Sequence, residues 1–137
     1  MNITQMWDIP INMVIVGETD TNWEDTAPSL WLSRESVMIP LSEDISGSPI
    51  ILNKKAMGYF RINYDEENWS LLVKTLMTDH EAIHPLNRAQ IICDVISLAR
   101  TGHVSQEIHD MVMEYIHMDT DFAPLRAVKE CSYELEV

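Results

Sequence analysis

The chain has 137 residues, 46% of them hydrophobic, and a formal net charge of −13 at pH 7. Nine Lys and Arg scattered among twenty-two Asp and Glu leave no basic stripe to replace the counterions of a polyphosphate, which argues against nucleic acid or an anionic membrane as partner. No apolar run approaches the ~20 residues of a membrane span, and the first residues lack the basic and apolar stretches of a signal peptide.

Two halves follow each other along the chain, an α+β arrangement with a short β-sandwich-like first half and an α-helical, solenoid-like second half. Residues 1–65 carry short apolar runs at 11–16, 36–41, 49–53 and 57–64, separated by polar stretches at 17–28 and 42–48, the pattern of strands and turns. From Glu66 the period changes to 3.6, which predicts four helices over residues 66–137. Trp69, Leu72, Val73 and Leu76 line the first; Leu86, Ala89, Ile92, Val95, Ile96 and Ala99 line the second, which Gly102 can end in a left-handed cap. A third begins near Ser105 with Ile108, Met111, Val112, Tyr115 and Ile116 on one face, and a fourth near Asp121 buries Val128, Cys131 and Leu135. Short loops between successive helices predict antiparallel stacking, as at the start of an α-solenoid. The tight junction near Asp65 predicts that both halves pack as one rigid body.

The junction itself is the most informative stretch. Residues 57–69 read Met-Gly-Tyr-Phe-Arg-Ile-Asn-Tyr-Asp-Glu-Glu-Asn-Trp, with aromatic and β-branched residues alternating with Gly58, Arg61 and Asn63 as in a strand whose faces meet different environments. Asp65 then caps a helix, with Glu66 and Glu67 against the positive end of its dipole. Arg61 and Arg88 are expected to form bidentate ion pairs with Asp65, Asp94 or Glu67, holding the two halves together. Tyr59 and Tyr64 are expected to pack against the strands. Cys93 and Cys131 sit on apolar helix faces, where free buried thiols are the expectation and a disulfide is possible. Asn2-Ile3-Thr4 and Asn68-Trp69-Ser70 are glycosylation sequons, the second inside a helix start.

Together with Ile51-Leu52-Asn53 before it and Asn-Arg-Ala-Gln-Ile-Ile-Cys-Asp at residues 87–94 after it, this stretch resembles the C-terminal half of the M1 zinc aminopeptidases. Met6-Trp7-Asp8-Ile9-Pro10-Ile11 looks like that family's lead into a small β-sandwich, and Asp121-Phe122-Ala123-Pro124 like its Asp-Tyr-x-Pro-Trp step. Phe60, Cys93 and Leu125 depart from the pattern, standing where Tyr, Asp and Trp are usual. The resemblance covers nearly the whole chain. It implies structural roles for Gly58, Tyr59, Arg61, Asn63, Tyr64, Asp65, Arg88 and Asp94, and a zinc site located in the family's catalytic domain upstream of the sandwich. The Gly-x-Met-x-Asn and His-Glu-x-x-His motifs of that domain do not precede this segment, so the expectation is the tail of a longer enzyme or a shortened relative.

His80-Glu81-Ala82-Ile83-His84 matches a zinc-protease pattern letter for letter. That chemistry needs one continuous helix with both imidazoles on one face and the Glu beside the metal-bound water. Pro85 disfavours helical geometry at His84, and His103 stands where a distal Glu ligand would fall, so we take the match as coincidence. His109, Met113 and His117 recur every four residues on the third helix, and the expectation is a half-exposed stripe rather than a metal site.

No catalytic, cofactor-binding or metal-binding residue is therefore assigned to this chain, and zinc is a cofactor of the parent family alone. The expected function is non-catalytic, to scaffold and cover the active site of a peptide-trimming enzyme. The expected partner is the remainder of an aminopeptidase, or another protein, through the exposed helical edge, with self-association through the last helices. The alternative is a free-standing interaction module, and a third reading is a small zinc hydrolase using His80, Glu81 and His84.

Overall fold

The computed structural model describes residues 8–17, 22–41 and 47–133. The Asn2 sequon, Met6, Trp7 and Leu135 lie outside them. Four three-residue strands come first: β1 (Ile9–Ile11), β2 (Met13–Ile15), β3 (Leu30–Leu32) and β4 (Ile50–Leu52). They form two antiparallel pairs, β1 with β3 and β2 with β4. Pro10, which has no N–H to give, faces Trp31 in a two-stranded pair where a missing ladder bond costs least. In the other pair Val14 faces Ile51, and both are buried.

Four helices follow: α1 (Glu66–Asp79), α2 (Pro85–Arg100), α3 (Gln106–Tyr115) and α4 (Phe122–Tyr133). Their ends obey local chemistry. Asp65 accepts from the Asn68 N–H at 2.7 Å, and Ser105 from the Ile108 N–H at 3.2 Å. Gly102 takes φ 80° after α2, a left-handed turn open to glycine. At the start of α2, Pro85 occupies the first turn and His84 Nδ1 accepts from the Leu86 N–H at 3.1 Å.

The expected inward face of α1 is the observed one: Trp69, Leu72, Val73 and Leu76 are at most 3% exposed. Each such burial is worth roughly 1.5–3 kcal/mol. On α2 the register is rotated from expectation. Asn87, Arg88, Ile91, Ile92, Asp94, Val95 and Ile96 are buried, whereas Leu86 is exposed. A 3.6-residue stripe counted from apolar residues alone cannot anticipate buried polar ones. On α3, Ile108, Val112 and Tyr115 point inward, while Met111 is exposed. One hydrophobic cluster runs from Val14, Val16 and Ile51 of the strand half through Trp69, Leu72, Ile92 and Val95 to Val112, Tyr115 and Ala127. The strands and helices therefore share a core.

Two expected strands are absent. Residues 36–41 form none, and Val37, Met38 and Leu41 face solvent. Residues 57–64 run irregularly because side chains, not a neighbouring strand, take up their backbone groups. Asn53 Oδ1 accepts from the Gly58 N–H at 2.7 Å and its Nδ2 donates to the Gly58 carbonyl at 2.9 Å. Gln90 Nε2 donates to the Phe60 carbonyl at 3.3 Å, and Asp94 Oδ2 accepts from the Ile62 N–H at 3.2 Å. Two strands are unforeseen and pair with each other: β1, which ends where the expected run 11–16 begins, and β3, a short apolar triplet between polar stretches.

Candidate functional site at the strand–helix junction

After β4 the chain makes a tight turn through Lys54–Ala56 in which Asn53, Lys55 and Ala56 all have positive φ (65°, 56° and 55°). Only glycine adopts that region freely, so the turn is strained and must be held. Three amide side chains hold it. Asn12 Oδ1 accepts from the Lys54 N–H at 2.6 Å while its Nδ2 donates to the Thr26 carbonyl at 2.9 Å. Asn87 Oδ1 accepts from the Lys55 N–H at 2.7 Å while its Nδ2 donates to the Asn53 carbonyl at 2.9 Å. Asn53 brackets Gly58 as described. All three are buried, and an amide that uses both ends on backbone leaves neither end unsatisfied. Asn68 repeats the device at β4, accepting from the Ile50 N–H and donating to the Ile50 carbonyl, both at 2.8 Å. Its amide is thus occupied inside the fold, which sets this sequon to structural use.

Arg61 pairs with Asp94, one of its expected partners. Nη1 donates to Asp94 Oδ1 at 3.2 Å and to the Cys93 carbonyl at 3.0 Å. The bond is one-pronged and lopsided: the arginine side chain is 45% exposed and the carboxylate 8%. Burial pushes the Asp94 carboxyl up to about 6, and the Ile62 N–H and the Arg61 charge only partly offset this.

Arg88 departs from expectation. It is 2% exposed, and its partners are Asp119 and Asp121, not Asp65, Asp94 or Glu67. Nη1 donates to Asp119 Oδ2 at 2.5 Å, Nη2 to Asp121 Oδ2 at 2.6 Å, and Nε to the Ile83 carbonyl at 2.9 Å. Asp119 also accepts from the Tyr115 hydroxyl at 2.8 Å and the Asp121 N–H at 3.0 Å. Burial alone would raise the Asp119 carboxyl; the Arg88 bond and the other donors outweigh it and hold the carboxyl below its ordinary value. Arg88 therefore ties α2 to the α3–α4 connection, inside the helical half, and does not bridge the two halves.

Asn63 Oδ1 accepts from Trp69 Nε1 at 2.9 Å and its Nδ2 donates to the His103 carbonyl at 3.2 Å. Tyr64 stands edge-on to Trp69, with ring centroids 5.2 Å apart, and its hydroxyl accepts from the Leu52 N–H at 3.0 Å. Burial raises its phenol above the ordinary value. Tyr59, by contrast, is fully exposed and packs on no strand. It stands at the mouth of a cleft of about 780 Å³ between the 56–61 segment and α2 and α4, with Phe60, Leu86, Phe122 and Ala127 in its walls. Gly58 is required there, since a Cβ would overlap the Phe60 ring and lie 3.0 Å from Asn53 Oδ1.

The cysteines correct the free-thiol expectation: Cys93 on α2 and Cys131 on α4 form a disulfide, with Cα atoms 5.5 Å apart. That facing arrangement depends on how the helices pack, which spacing in the chain does not reveal.

The His80, Glu81, His84 constellation does not form a helical face. α1 ends at Asp79, His80–Ala82 is a 3₁₀ turn, Ile83 is extended, and His84 caps α2. The His80 ring lies against Tyr115 at 6.0 Å and the His84 ring against Trp23 at 5.9 Å. With the helix broken between the two histidines and Nδ1 of His84 already accepting a backbone N–H, these residues do not fit the zinc geometry of that motif. The expected His109, Met113, His117 stripe is broken: His109 and Met113 are half-buried on α3, whereas His117 is exposed in the 3₁₀ turn Ile116–Met118 beyond its end, and His109 Nδ1 lies 3.1 Å from Asp110 Oδ1.

Sequence reasoning missed Asn12, Asn53, Asn68 and Asn87. The available signal was an amide beside or inside an apolar run, as in Ile11-Asn12-Met13 and Leu52-Asn53, where a buried polar side chain must find partners.

Residues 49–133 match the ERAP1-like C-terminal domain. An aminopeptidase N of Plutella xylostella is 39% identical over 126 residues, 89% of this chain and 13% of that protein. The thyrotropin-releasing hormone-degrading ectoenzyme of Rattus norvegicus is 34% identical over 135 residues, 98% of this chain and 12% of that protein. A membrane alanyl aminopeptidase of Manduca sexta is 32% identical over 121 residues. The chain spans about an eighth of the length of these relatives. It belongs to the ERAP1-like C-terminal domain family, the C-terminal region of the M1 aminopeptidases.

Proposed function

We propose that this chain is a non-catalytic scaffold of an M1 zinc aminopeptidase. In this reading its strand pairs are the end of a β-sandwich, its helices are the first turns of an α-solenoid, and the junction sets the angle at which the helices cover the active site of a peptide-trimming enzyme. The observation that carries it is the clamp at the strained turn. Asn12, Asn53 and Asn87 use their amides on backbone of the connection, and the strands share a core with the helices, which is what a rigid joint between two domains requires. Zinc and the general base belong to the part of the parent enzyme that carries its own His-Glu-x-x-His.

Two measurements test this. The purified chain is expected to hydrolyse no aminoacyl-4-nitroanilide and to carry no stoichiometric zinc; one zinc per chain that is lost in His84→Ala would overturn the reading. In a full-length enzyme containing this segment, Asn87→Ala is expected to lower peptide hydrolysis while zinc content stays unchanged. Unchanged turnover on both short and long peptides would remove the scaffolding role.

The second reading, an interaction module that binds an aminopeptidase, another protein or its own copy, is favoured by the exposed Met57, Tyr59, Phe122 and Leu125. Of these, Tyr59 and Phe122 line the same cleft, and exposed apolar surface of this kind marks contact sites. Light scattering at high salt tests the self-association in this second reading: a clean monomer overturns it, and a shift toward monomer on Phe122→Glu supports it.

A further inference from the structure

α4 lies closely along α2, but it meets that helix mainly through small or half-buried side chains. Its inward positions are the fully buried Pro124, the buried Ala127 and the half-buried Val128 and Cys131, while Phe122 and Leu125 are 75% and 42% exposed. α1, in contrast, buries four large side chains. Small residues remove little apolar area from water, so this helix depends on specific ties. At its N-terminal end Arg88 supplies one through Asp121. The Arg126–Glu130 pair runs within α4 and ties it to nothing else. Toward the C-terminal end the tie is covalent, Cys93 of α2 to Cys131. Cys93 also lines the cleft, so the bond can be reached from solvent along that wall.

We infer that the Cys93–Cys131 disulfide is a redox control point for α4 and for the cleft. Oxidised, it seats the C-terminal part of α4 on α2 and holds the cleft wall in place. A dithiol reduces it: one thiolate attacks a sulfur of the pair to give a mixed disulfide, and the second thiolate then displaces the remaining cysteine. Two electrons and two protons pass to Cys93 and Cys131, and the reductant leaves as a disulfide. α4 then loses its covalent tie, frays from its C-terminal end and opens the cleft. A chain built this way works in an oxidising compartment and loosens in a reducing one. The inference stands apart from the scaffolding role, because its readout is local to α4.

The test uses the whole chain after air oxidation. Thiol titration in denaturant is expected to find no free thiol among the two cysteines. Amide exchange followed by mass spectrometry is then compared before and after dithiothreitol. Exchange over residues 122–133 is expected to accelerate by about tenfold or more while α1 stays within about twofold, with reoxidation restoring the slow rates. Cys93→Ser combined with Cys131→Ser reproduces the reduced rates and no longer responds to dithiothreitol. If that variant does not fold, reversible reduction of the unaltered chain decides alone. Two titratable thiols after oxidation, unchanged exchange in α4, or acceleration spread equally over all four helices would each overturn the inference.

Discussion

Asn87 grips Asn53 from across the junction: its Nδ2 donates to the Asn53 carbonyl at 2.9 Å while its Oδ1 accepts from the Lys55 N–H at 2.7 Å. Both backbone groups belong to a turn with left-handed φ at Asn53, Lys55 and Ala56. Asn87→Ala leaves the Lys55 N–H without its partner, takes one of two bonds from the Asn53 carbonyl, which keeps the Ala56 N–H at 2.9 Å, and removes the hold on that strain. We expect a loss of roughly 1–3 kcal/mol, read from the denaturant midpoint at unchanged slope. A loss under about 0.5 kcal/mol would mean that water replaces the amide at no cost.

Arg88 and Arg61 differ in burial and should differ in consequence. Arg88→Ala strands Asp119 in the interior and is expected to cost about 3–5 kcal/mol. Arg61→Ala leaves Asp94 its bond from the Ile62 N–H, and the arginine is nearly half exposed, so the expected cost is about 1 kcal/mol or less. Equal costs in paired unfolding curves would refute this ranking.

Gly58 meets Phe60 too closely for any side chain. Gly58→Ala is expected to destabilise by roughly 1–3 kcal/mol through overpacking. Phe60→Ala should relieve much of that penalty, giving a favourable coupling in a double-mutant cycle. Additive losses would place the conflict at Asn53 instead.

Asp94 and Asp119 shift in opposite directions, and their pH effects follow. The folded carboxyl of Asp94 is raised to about 6 from 3.8, so the folded state binds the proton more tightly than the unfolded one. Its contribution therefore improves as pH falls from about 6 to about 4, by an amount on the order of 1–3 kcal/mol. Asp119 is held below its ordinary value; its contribution is present above about pH 4 and is lost as pH drops through its folded pKa. Stability is expected to rise slightly on mild acidification and to fall steeply below about pH 4. Asp94→Asn should abolish the rise and Asp119→Asn should flatten the acid limb. Unfolding midpoints between pH 3 and 7 check both.

Local chemistry alone determined a good part of this protein. The cap at Asp65, the apolar faces of α1 and α3, the stop at Gly102 and the break at Pro85 depend on residues within one or two turns of each other, so they are legible in the chain. The ordered motifs around residues 57–69 and 87–94 carried the family in the same way. Tertiary structure alone decided the rest. Whether residues 57–64 form a strand depended on Asn53, Gln90 and Asp94 supplying their hydrogen bonds from elsewhere. Arg88 found Asp119 and Asp121 rather than the expected carboxylates because the α3–α4 connection folds back over α2. Cys93 and Cys131, 38 residues apart, face each other only because α4 packs on α2. Pairings between distant residues are set by which surfaces become buried together, and hydrophobic periodicity records that a face is buried without recording what it meets.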